Sequence, residues 1–398
     1  MSARSRLATL YRRTTEFVAG DDYDRPDGRC RLGPEWLVLV VNNFCNLHCR
    51  MCDVGLKESA SVFWAHMIGD DRRNMSLEML LAILEQASAF RPRPRIGLAF
   101  TEPLIHPRIV EFCRAAVGRG FFCSITTNGF MLPQLADALV DAGLSEITIS
   151  IDGPEEVHDR VRGHVGSFQR LYAGIEKVNE AKRRRRVFHP RIRFSYTITD
   201  ENATTMLEFV RAVEPLQPTA LCFSHLNFIT SEMAAAHNAA HGGAYAVARS
   251  NLGTIEPERI DLDAMWRALG ELKAYARSRP AFPALVIVPD LAARDDLDVY
   301  YREPMRFVGG RSCTDPWRMM MVRTDGTVIP AHSRCYNVPL GTIRETTLSA
   351  MWNNVQALAF RRTLKAAGGT LPACARCCGV IGKPAAPTPA RALSSLVR

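Results

Sequence analysis

The chain has 398 residues, of which 47% are apolar and 23% are charged, with 26 glycines and 23 prolines. This is an ordinary globular composition, which excludes collagen-like, low-complexity and mainly disordered proteins. No stretch approaches the ~20 consecutive apolar residues that span a bilayer, and the basic start of the chain lacks the pattern of a secretory signal. We therefore expect a cytoplasmic protein with no membrane span.

The net charge of +9 raises the question of nucleic-acid binding. The positive charge is diffuse apart from one basic run at 182–186. That run separates an expected helix from an expected strand, a position typical of a solvated helix end. No stacking aromatic residues are interleaved with the run, so the sequence does not favour a nucleic-acid partner.

Apolar strands alternate with amphipathic helices over the first 230 residues. In chain order, strands are predicted at 36–41, 96–100, 122–126, 147–151, 192–198 and 220–227. The helices between them begin after the N-cap Ser76 and then cover about 107–118, 133–142, 168–184 and 203–213. Six β/α units in series predict a parallel sheet, and hence an α/β fold with a partial (β/α)6 TIM-like barrel. In such barrels, chemistry collects at the C-terminal ends of the strands.

The pattern loosens after the sixth unit, where one helix near 262–277 and a strand at 285–288 are predicted. Strands at 319–322 and 327–329 flank the turn Thr324-Asp325-Gly326 and predict a hairpin, which a helix at about 346–366 follows. The expected division is an N-terminal extension at 1–36, the barrel at 37–230, a bridging or lid segment at 231–308, a small domain with the β-hairpin and helix at 309–382, and a flexible tail at 383–398.

The twelve cysteines are concentrated at two places in the chain. An even number is compatible with disulfides, but a large chain without an export signal more often uses such groups to hold metal. The first group is Cys45, Cys49 and Cys52, spaced C-x3-C-x2-C in the loop after the first strand. Three thiolates this close can ligate three irons of a 4Fe–4S cluster and leave the fourth iron open. The alternatives are a zinc site completed by His48, or cysteines present for packing.

The segment VNNFCNLHCRMC resembles the signature of the radical S-adenosylmethionine (radical SAM) superfamily. The resemblance implies that the open iron chelates the amino and carboxylate groups of S-adenosylmethionine. Electron transfer then cleaves this cofactor to methionine and a 5′-deoxyadenosyl radical, which takes a hydrogen atom from substrate. It also implies an electron donor such as flavodoxin or ferredoxin.

Further positions resemble the cofactor-binding elements of this superfamily. Phe100-Thr101-Glu102-Pro103 is similar to its Gly-Gly-Glu-Pro element, with both glycines replaced and Glu102 kept as an acceptor for the methionine ammonium. Met51 stands at a usually aromatic position and can still pack against adenine. The set of cofactor-binding residues that the resemblance implies is Met51, Thr101, Glu102, Asn128, Ser150, Asp152 and Arg162.

The second group of cysteines resembles the auxiliary-cluster domain that is called SPASM in its full form and twitch in its shorter form. The ligands implied for one auxiliary 4Fe–4S cluster are Cys313, Cys335, Cys374 and Cys377, which fits the shorter form. The chain has Ala331 where the family commonly has a cysteine, so His332 and Cys378 remain alternative ligands to Cys335. A four-cysteine zinc knuckle is the alternative to iron and sulfur.

The remaining question is the substrate. Cys222 alternates with Phe223 and His225 along the sixth strand, so if its face lines the barrel interior it could return a hydrogen atom to a substrate radical. His225 is the other catalytic candidate. We expect a radical SAM enzyme that oxidises, epimerises or dehydrates a small polar metabolite such as a sugar, an aminocyclitol or a similar natural-product intermediate. The rivals are modification of a ribosomally made peptide and a non-catalytic iron–sulfur or zinc sensor or scaffold.

Overall fold

The structure, a computed structural model, describes residues 21–68, 71–308, 312–330 and 338–377; for residues 65 and 66 it describes only the backbone. Within these ranges the strands are β1 (Trp36–Leu39), β2 (Arg95–Leu98), β3 (Cys123–Thr127), β4 (Glu146–Ser150), β5 (Arg191–Ile198), β6 (Ala220–His225), β7 (Ala284–Val288), β8 (Met319–Val322), β9 (Thr327–Pro330) and β10 (Gly341–Thr342).

Most of the helices lie between consecutive strands. They are α1 (Asp53–Leu56), α2 (Val62–Met67), α3 (Leu77–Ala87), α4 (Ile109–Gly118), α5 (Leu132–Asp141), α6 (Glu155–Arg162), α7 (Ser167–Arg185), α8 (Met206–Val213), α9 (Ser231–Tyr245), α10 (Leu262–Arg277), α11 (Arg294–Arg302), α12 (Leu348–Trp352) and α13 (Val355–Ala366). None of the helices within the described ranges is both long and apolar enough to cross a bilayer.

All the described strands join one sheet, in the order β10-β9-β8-β1-β2-β3-β4-β5-β6-β7. Neighbouring strands from β8 through β1 to β7 pair in parallel, whereas β9 and β10 pair antiparallel. Helices between the strands pack on one face of the sheet, as Phe209 of α8 does against Phe194 and Phe223. The predicted α/β fold class with a partial barrel is confirmed.

The parallel sheet extends further than the six predicted units at both edges. β7 pairs with β6 as a seventh strand, and β8 of the predicted hairpin pairs in parallel with β1. The hairpin therefore continues the barrel sheet directly. Helix α9 was not predicted, because its Ala- and His-rich sequence has no continuous apolar stripe; its buried residues are Met233, Ala234 and His237.

The basic run at 182–186 is at the C-terminal end of α7. Arg184 and Arg185 lie 2.6 and 2.9 Å from Asp137 on the neighbouring helix α5, and Arg185 also pairs with Asp141. These contacts agree with the interpretation of a solvated helix end, because the acidic side chains of α5 partly neutralise the run.

Candidate active site

The three-cysteine loop leaves the C-terminal end of β1 and ends where α1 begins at Asp53. Cys49 is buried, while Cys45 and Cys52 are half-buried. Burial, together with repulsion from the Cys49 thiolate, raises the pKa of Cys45 to about 12 and that of Cys52 to about 11. Thiols in this state become thiolates when a cation offsets that cost, which fits an iron cluster in the loop.

In the described part of the chain, no group of three or more His, Cys, Asp or Glu side chains is arranged to bind a single metal ion. The His48 ring, the alternative zinc ligand, has its Nδ1 atom 2.9 Å from the Gly55 carbonyl oxygen.

Arg162 connects the cysteine loop to the end of the fourth strand. Its Nη1 atom lies 3.7 Å from Cys49 Sγ, and its Nη2 atom lies 2.5 Å from Asp152 Oδ2. The other carboxylate oxygen of Asp152 accepts a hydrogen bond of 2.7 Å from the Thr197 amide. Both side chains are buried, and burial raises the pKa of Asp152 while the Arg162 guanidinium opposes that shift. Asp152 therefore fixes the position of the Arg162 guanidinium beside the cysteine loop.

Glu102 lies at the C-terminal end of β2 and is almost completely buried. Its carboxylate accepts hydrogen bonds from the Thr127 hydroxyl at 2.6 Å and from the Asn128 amide at 2.7 Å. Burial raises the pKa of Glu102 to about 6, although these hydrogen bonds oppose the shift. The Asn128 side chain in turn reaches Cys45 Sγ at 3.8 Å. The predicted residues Glu102 and Asn128 are therefore next to the cysteine loop.

Three other predicted cofactor residues lie on the surrounding elements. Thr101 donates a hydrogen bond of 2.8 Å to the Asn42 carbonyl oxygen, which ties the loop after β2 to the loop after β1. Ser150 is the last residue of β4 and is half-buried, and Met51 is buried in the main core. Each therefore lies at or near the strand ends where the sequence places the cofactor.

Phe100 has a backbone conformation that normally selects glycine. Its φ is +83°, in the left-handed region, at the position of the first glycine of the family element. Its ring centroid lies 6.1 Å from that of Phe63 in α2. The loop thus keeps a glycine-type backbone despite the substitution, and ring packing contributes to holding the bulky side chain there.

The inner face of the barrel has two walls of different chemistry. On β6, Phe223 packs against α8, so by strand alternation Cys222 and Ser224 point inward. Ser195 pairs with Cys222, and Ser150 pairs with Ser195, so these side chains share one row. We call this surface the polar wall; its half-buried members include Thr148, Ser150, Ser195, Thr197, Cys222 and Ser224. The opposite apolar wall includes Val38 of β1, Val40 just beyond that strand, Met321 of β8 and Ile329 of β9.

His225 does not line the barrel interior, which corrects the sequence-based view of it as a catalytic candidate. It follows the parity of Phe223, faces the helices and is fully buried. Its Nδ1 atom lies 2.8 Å from the Tyr301 hydroxyl of α11. Burial lowers the pKa of His225 to about 3, so the ring is neutral and packs between β6 and α11.

The second cysteine group assembles from distant parts of the chain. Cys313, Cys374 and Cys377 are buried, and burial together with repulsion from Asp315 and the other two thiols raises the pKa of Cys313. The Cys377 amide donates a hydrogen bond of 3.0 Å to the Cys374 carbonyl oxygen. The remaining predicted ligand and its alternatives lie outside the described residues; these are Cys335, His332 and Cys378.

Arg376, between two of these cysteines, is a residue that sequence reasoning missed. It is fully buried, and its guanidinium donates to carbonyl oxygens at the end of α11, including those of Val299 at 2.7 Å, Tyr300 at 2.6 Å and Glu303 at 2.9 Å. Cations stabilise helix C-termini in this way. An arginine in a short cysteine loop gives no sequence signal for such a contact, because its partners lie more than 70 residues away.

Comparison with known proteins matches both parts of the chain. Residues 39–213 match the radical SAM superfamily, and residues 313–378 match the SPASM iron–sulfur cluster-binding domain. The chain is 33% identical over 150 residues to an AdoMet-dependent heme synthase of Methanosarcina barkeri, a match that covers 37% of this chain and 40% of the relative. It is 27% identical over 209 residues to a tungsten-containing aldehyde ferredoxin oxidoreductase cofactor-modifying protein of Pyrococcus furiosus, covering 50% of this chain and 53% of the relative.

These matches span only about two fifths to a half of the curated relatives. Among solved structures, Streptococcus suis SuiB bound to S-adenosylmethionine superposes with a TM-score of 0.57 at 14% identity, covering 82% of this chain and 68% of SuiB. The anSMEcpe protein with bound AdoMet has a TM-score of 0.54 at 15% identity, covering 82% of this chain and 80% of that chain. At sequence identities this low, the two superpositions establish a shared fold and nothing further about function.

The chain carries a radical SAM domain at residues 39–213 and a C-terminal SPASM iron–sulfur cluster-binding domain at residues 313–378. Together with the partial barrel and the buried three-thiol loop, these matches support an enzyme of the radical SAM class. The predicted family, S-adenosylmethionine and the iron–sulfur clusters are confirmed.

Proposed function

We propose that this enzyme takes a hydrogen atom from a small polar metabolite, such as a sugar, an aminocyclitol or a similar natural-product intermediate. The polar wall is the observation that carries the proposal. Its hydroxyl side chains are only half-buried, although they lie on the inner face of a sheet. A hydroxyl or amine group of a substrate can satisfy such side chains better than an apolar ligand can.

The residues of this chain have distinct roles in the proposed reaction. Cys45, Cys49 and Cys52 hold the first 4Fe–4S cluster, and when bound the cofactors supply a one-electron cleavage of S-adenosylmethionine whose product takes the substrate hydrogen. Glu102 accepts hydrogen bonds from the ammonium group of the methionine part of the cofactor. Its carboxylate is positioned for this by hydrogen bonds from the Thr127 hydroxyl and the Asn128 amide. The Arg162 guanidinium, which Asp152 holds in place, binds the carboxylate of S-adenosylmethionine and orients the cofactor.

The auxiliary domain holds one further 4Fe–4S cluster in this proposal. The described thiols Cys313, Cys374 and Cys377 supply three ligands, and we assign Cys335 as the fourth. A flavodoxin or ferredoxin supplies electrons, and the number of free thiols fits the reducing cytoplasm.

Cys222 determines the outcome of the reaction in this scheme. It lies on the polar wall, and burial raises its pKa, so it remains a protonated thiol. A thiol in this position can return a hydrogen atom to the substrate radical, which gives epimerisation and leaves a thiyl radical that takes one electron from the flavodoxin or ferredoxin and one proton. Without that return, the substrate radical gives oxidation by passing one electron to the auxiliary cluster and releasing one proton. Dehydration follows when the radical loses water and the product radical then takes one electron from the same donor and one proton.

The test is deuterium transfer. Reduced, reconstituted enzyme is incubated with S-adenosylmethionine and pools of deuterated sugars, aminocyclitols or peptides, and deuterium is measured in 5′-deoxyadenosine. We expect transfer from a small polar pool and none in the Cys49→Ala control. Transfer from a peptide alone would instead establish peptide modification, the rival function.

A further inference from the structure

A short segment between the two domains lies directly on the cysteine loop. Residues 250–254, which we call the strap, follow the unpredicted helix α9. The Thr254 amide donates a hydrogen bond of 3.0 Å to the Arg50 carbonyl oxygen, and the Arg50 Nε atom donates one of 3.0 Å to the Thr254 hydroxyl. The contact is tight, because a Cβ atom on Gly253 would lie 2.0 Å from the Arg50 carbonyl oxygen. The strap therefore fits over the turn at 49–52 without room for a side chain.

Asp53 binds the same strap from the other side of the turn. It follows Cys52 directly and is 1% exposed. Its carboxylate accepts a hydrogen bond of 2.7 Å from the Ser250 hydroxyl and one of 2.9 Å from the Asn251 amide. A buried carboxylate depends strongly on such donors, because it has left water to reach them. Asp53 is thus committed to the strap.

The strap is itself anchored to the barrel. Ile229, just beyond β6, forms two backbone hydrogen bonds with Ser250, of 2.9 and 3.0 Å, and the Asn251 side chain donates to the Asn227 side chain at 3.2 Å. Before the strap, α9 ends at Tyr245, whose ring packs 5.2 Å from that of Phe360 in the auxiliary domain. The strap is therefore bonded directly to the barrel and follows a helix that packs against the auxiliary domain.

We propose that Asp53 and the strap form a latch that positions the turn at 49–52, so that Asp53 is a positioning residue for reductive cleavage of S-adenosylmethionine. The inference rests on the proposed roles of Cys49 and Cys52 as ligands, but not on the identity of the substrate. Because Cys52 and Asp53 are adjacent, fixing the carboxylate restricts the third thiolate. Small errors in such positions reduce catalysis strongly.

The first test compares two glycine variants of the reconstituted holoenzyme. Gly253→Ala places a methyl group against the Arg50 carbonyl oxygen, whereas a Cβ atom at Gly243, in the neighbouring helix, meets nothing within 4 Å. We expect Gly253→Ala to speed amide hydrogen exchange in residues 49–56 by about tenfold or more. It should also alter the electron paramagnetic resonance signal of the reduced first cluster on addition of S-adenosylmethionine. Gly243→Ala should change neither.

The second test uses the latch carboxylate and remains informative if Gly253→Ala does not fold. Asp53→Asn keeps an oxygen that accepts from Ser250 or Asn251, whereas Asp53→Ala keeps none. We expect Asp53→Ala to slow S-adenosylmethionine cleavage about tenfold or more, with the altered resonance signal, and Asp53→Asn to recover most of both properties. Wild-type exchange and resonance signals in Asp53→Ala or Gly253→Ala would overturn the latch. None of these three readouts needs the molecule that donates the hydrogen atom. The latch can therefore be disproved while deuterium transfer succeeds, or supported while deuterium transfer fails.

Discussion

The two cysteine groups of this enzyme are built in opposite ways. The first lies within eight consecutive residues, 45–52, and is held from outside by the strap and Asp53. The second combines thiols from 313 to 377, and is held from inside by Arg376, which reaches out to α11. Both supports depend on the segment 231–308, which the sequence presented only as a bridge or lid. The first group is therefore local in sequence but is held in place by a distant segment. The second group is dispersed in sequence and is held in place by a residue that lies between two of its cysteines.

The largest expected effect is on the iron content of the protein, which distinguishes the two cysteine groups. The wild-type protein should contain about eight irons per chain, and replacing Cys45, Cys49 and Cys52 together by Ala should leave about four. The barrel should still fold, because only Cys49 of the three belongs to the buried core, which the side chains of the sheet and helices otherwise form. Iron analysis and circular dichroism after anaerobic purification measure both properties.

The same measurement tests the auxiliary site. Cys335→Ala should remove more auxiliary iron than His332→Ala, since we assign the thiol as the ligand. Zinc in place of the residual four irons would establish the knuckle instead, and an intact auxiliary cluster in Cys335→Ala would assign the ligand elsewhere.

A smaller effect is expected at the internal anchor. Arg376→Ala should destabilise the auxiliary domain by roughly 3 kcal/mol or more, because it leaves several buried carbonyl groups without their donor. Arg362, which is exposed and donates to the single carbonyl of Leu358 at 3.2 Å, provides the matched Arg362→Ala control. Thermal unfolding should shift to lower temperature only in the first variant. Equal transitions in the two proteins would show that Arg376 is not an anchor.

The smallest effect concerns the pH dependence of cofactor binding. Burial raises the pKa of Glu102 from 4.5 to about 6, so the folded protein holds a proton there that the unfolded chain releases. The contribution of Glu102 to the free energy of unfolding therefore falls as pH rises from about 4.5 to 6. Above that range the Glu102 carboxylate is ionised and can bind an ammonium group. The dissociation constant of S-adenosylmethionine should increase about fivefold from pH 6 to 5, because the ionised fraction of Glu102 falls by about that factor.

Glu102→Gln is the control for this dependence. It should bind the cofactor more weakly and lose most of the change between pH 6 and 5, as isothermal titration can measure. The same pH profile in both proteins would assign the dependence to another group.

Much of the barrel could be predicted, because its signals are local. The apolar runs located the first six strands to within a few residues, and Ser76 caps α3 as expected, since its hydroxyl accepts from the Met79 amide at 3.1 Å. The first cysteine group was equally visible, since its spacing lies within one loop. The sequence also indicated that Cys222 and Phe223 face opposite sides of the sheet. The packing of Phe223 against a helix then showed that Cys222 faces the barrel interior.

The unpredicted features depend on contacts between distant segments. The parallel pairing of β8 with β1 joins residues more than 280 positions apart, and no turn or periodicity encodes it. His225 illustrates the same limit, because strand alternation places it on the face of Phe223 but does not predict its partner, the Tyr301 hydroxyl 76 residues away. Likewise, nothing local in Asp53 indicates that its carboxylate binds the strap.

The most direct test of this account is reductive cleavage of S-adenosylmethionine by the reconstituted, dithionite-reduced enzyme beside its Cys49→Ala variant. Formation of 5′-deoxyadenosine and methionine is measured by chromatography under anaerobic conditions. The account predicts formation by the wild type and its loss in the variant, because two thiolates do not hold the cluster with one open iron. Undiminished cleavage by Cys49→Ala would contradict the assignment of the loop, and with it the proposed active site.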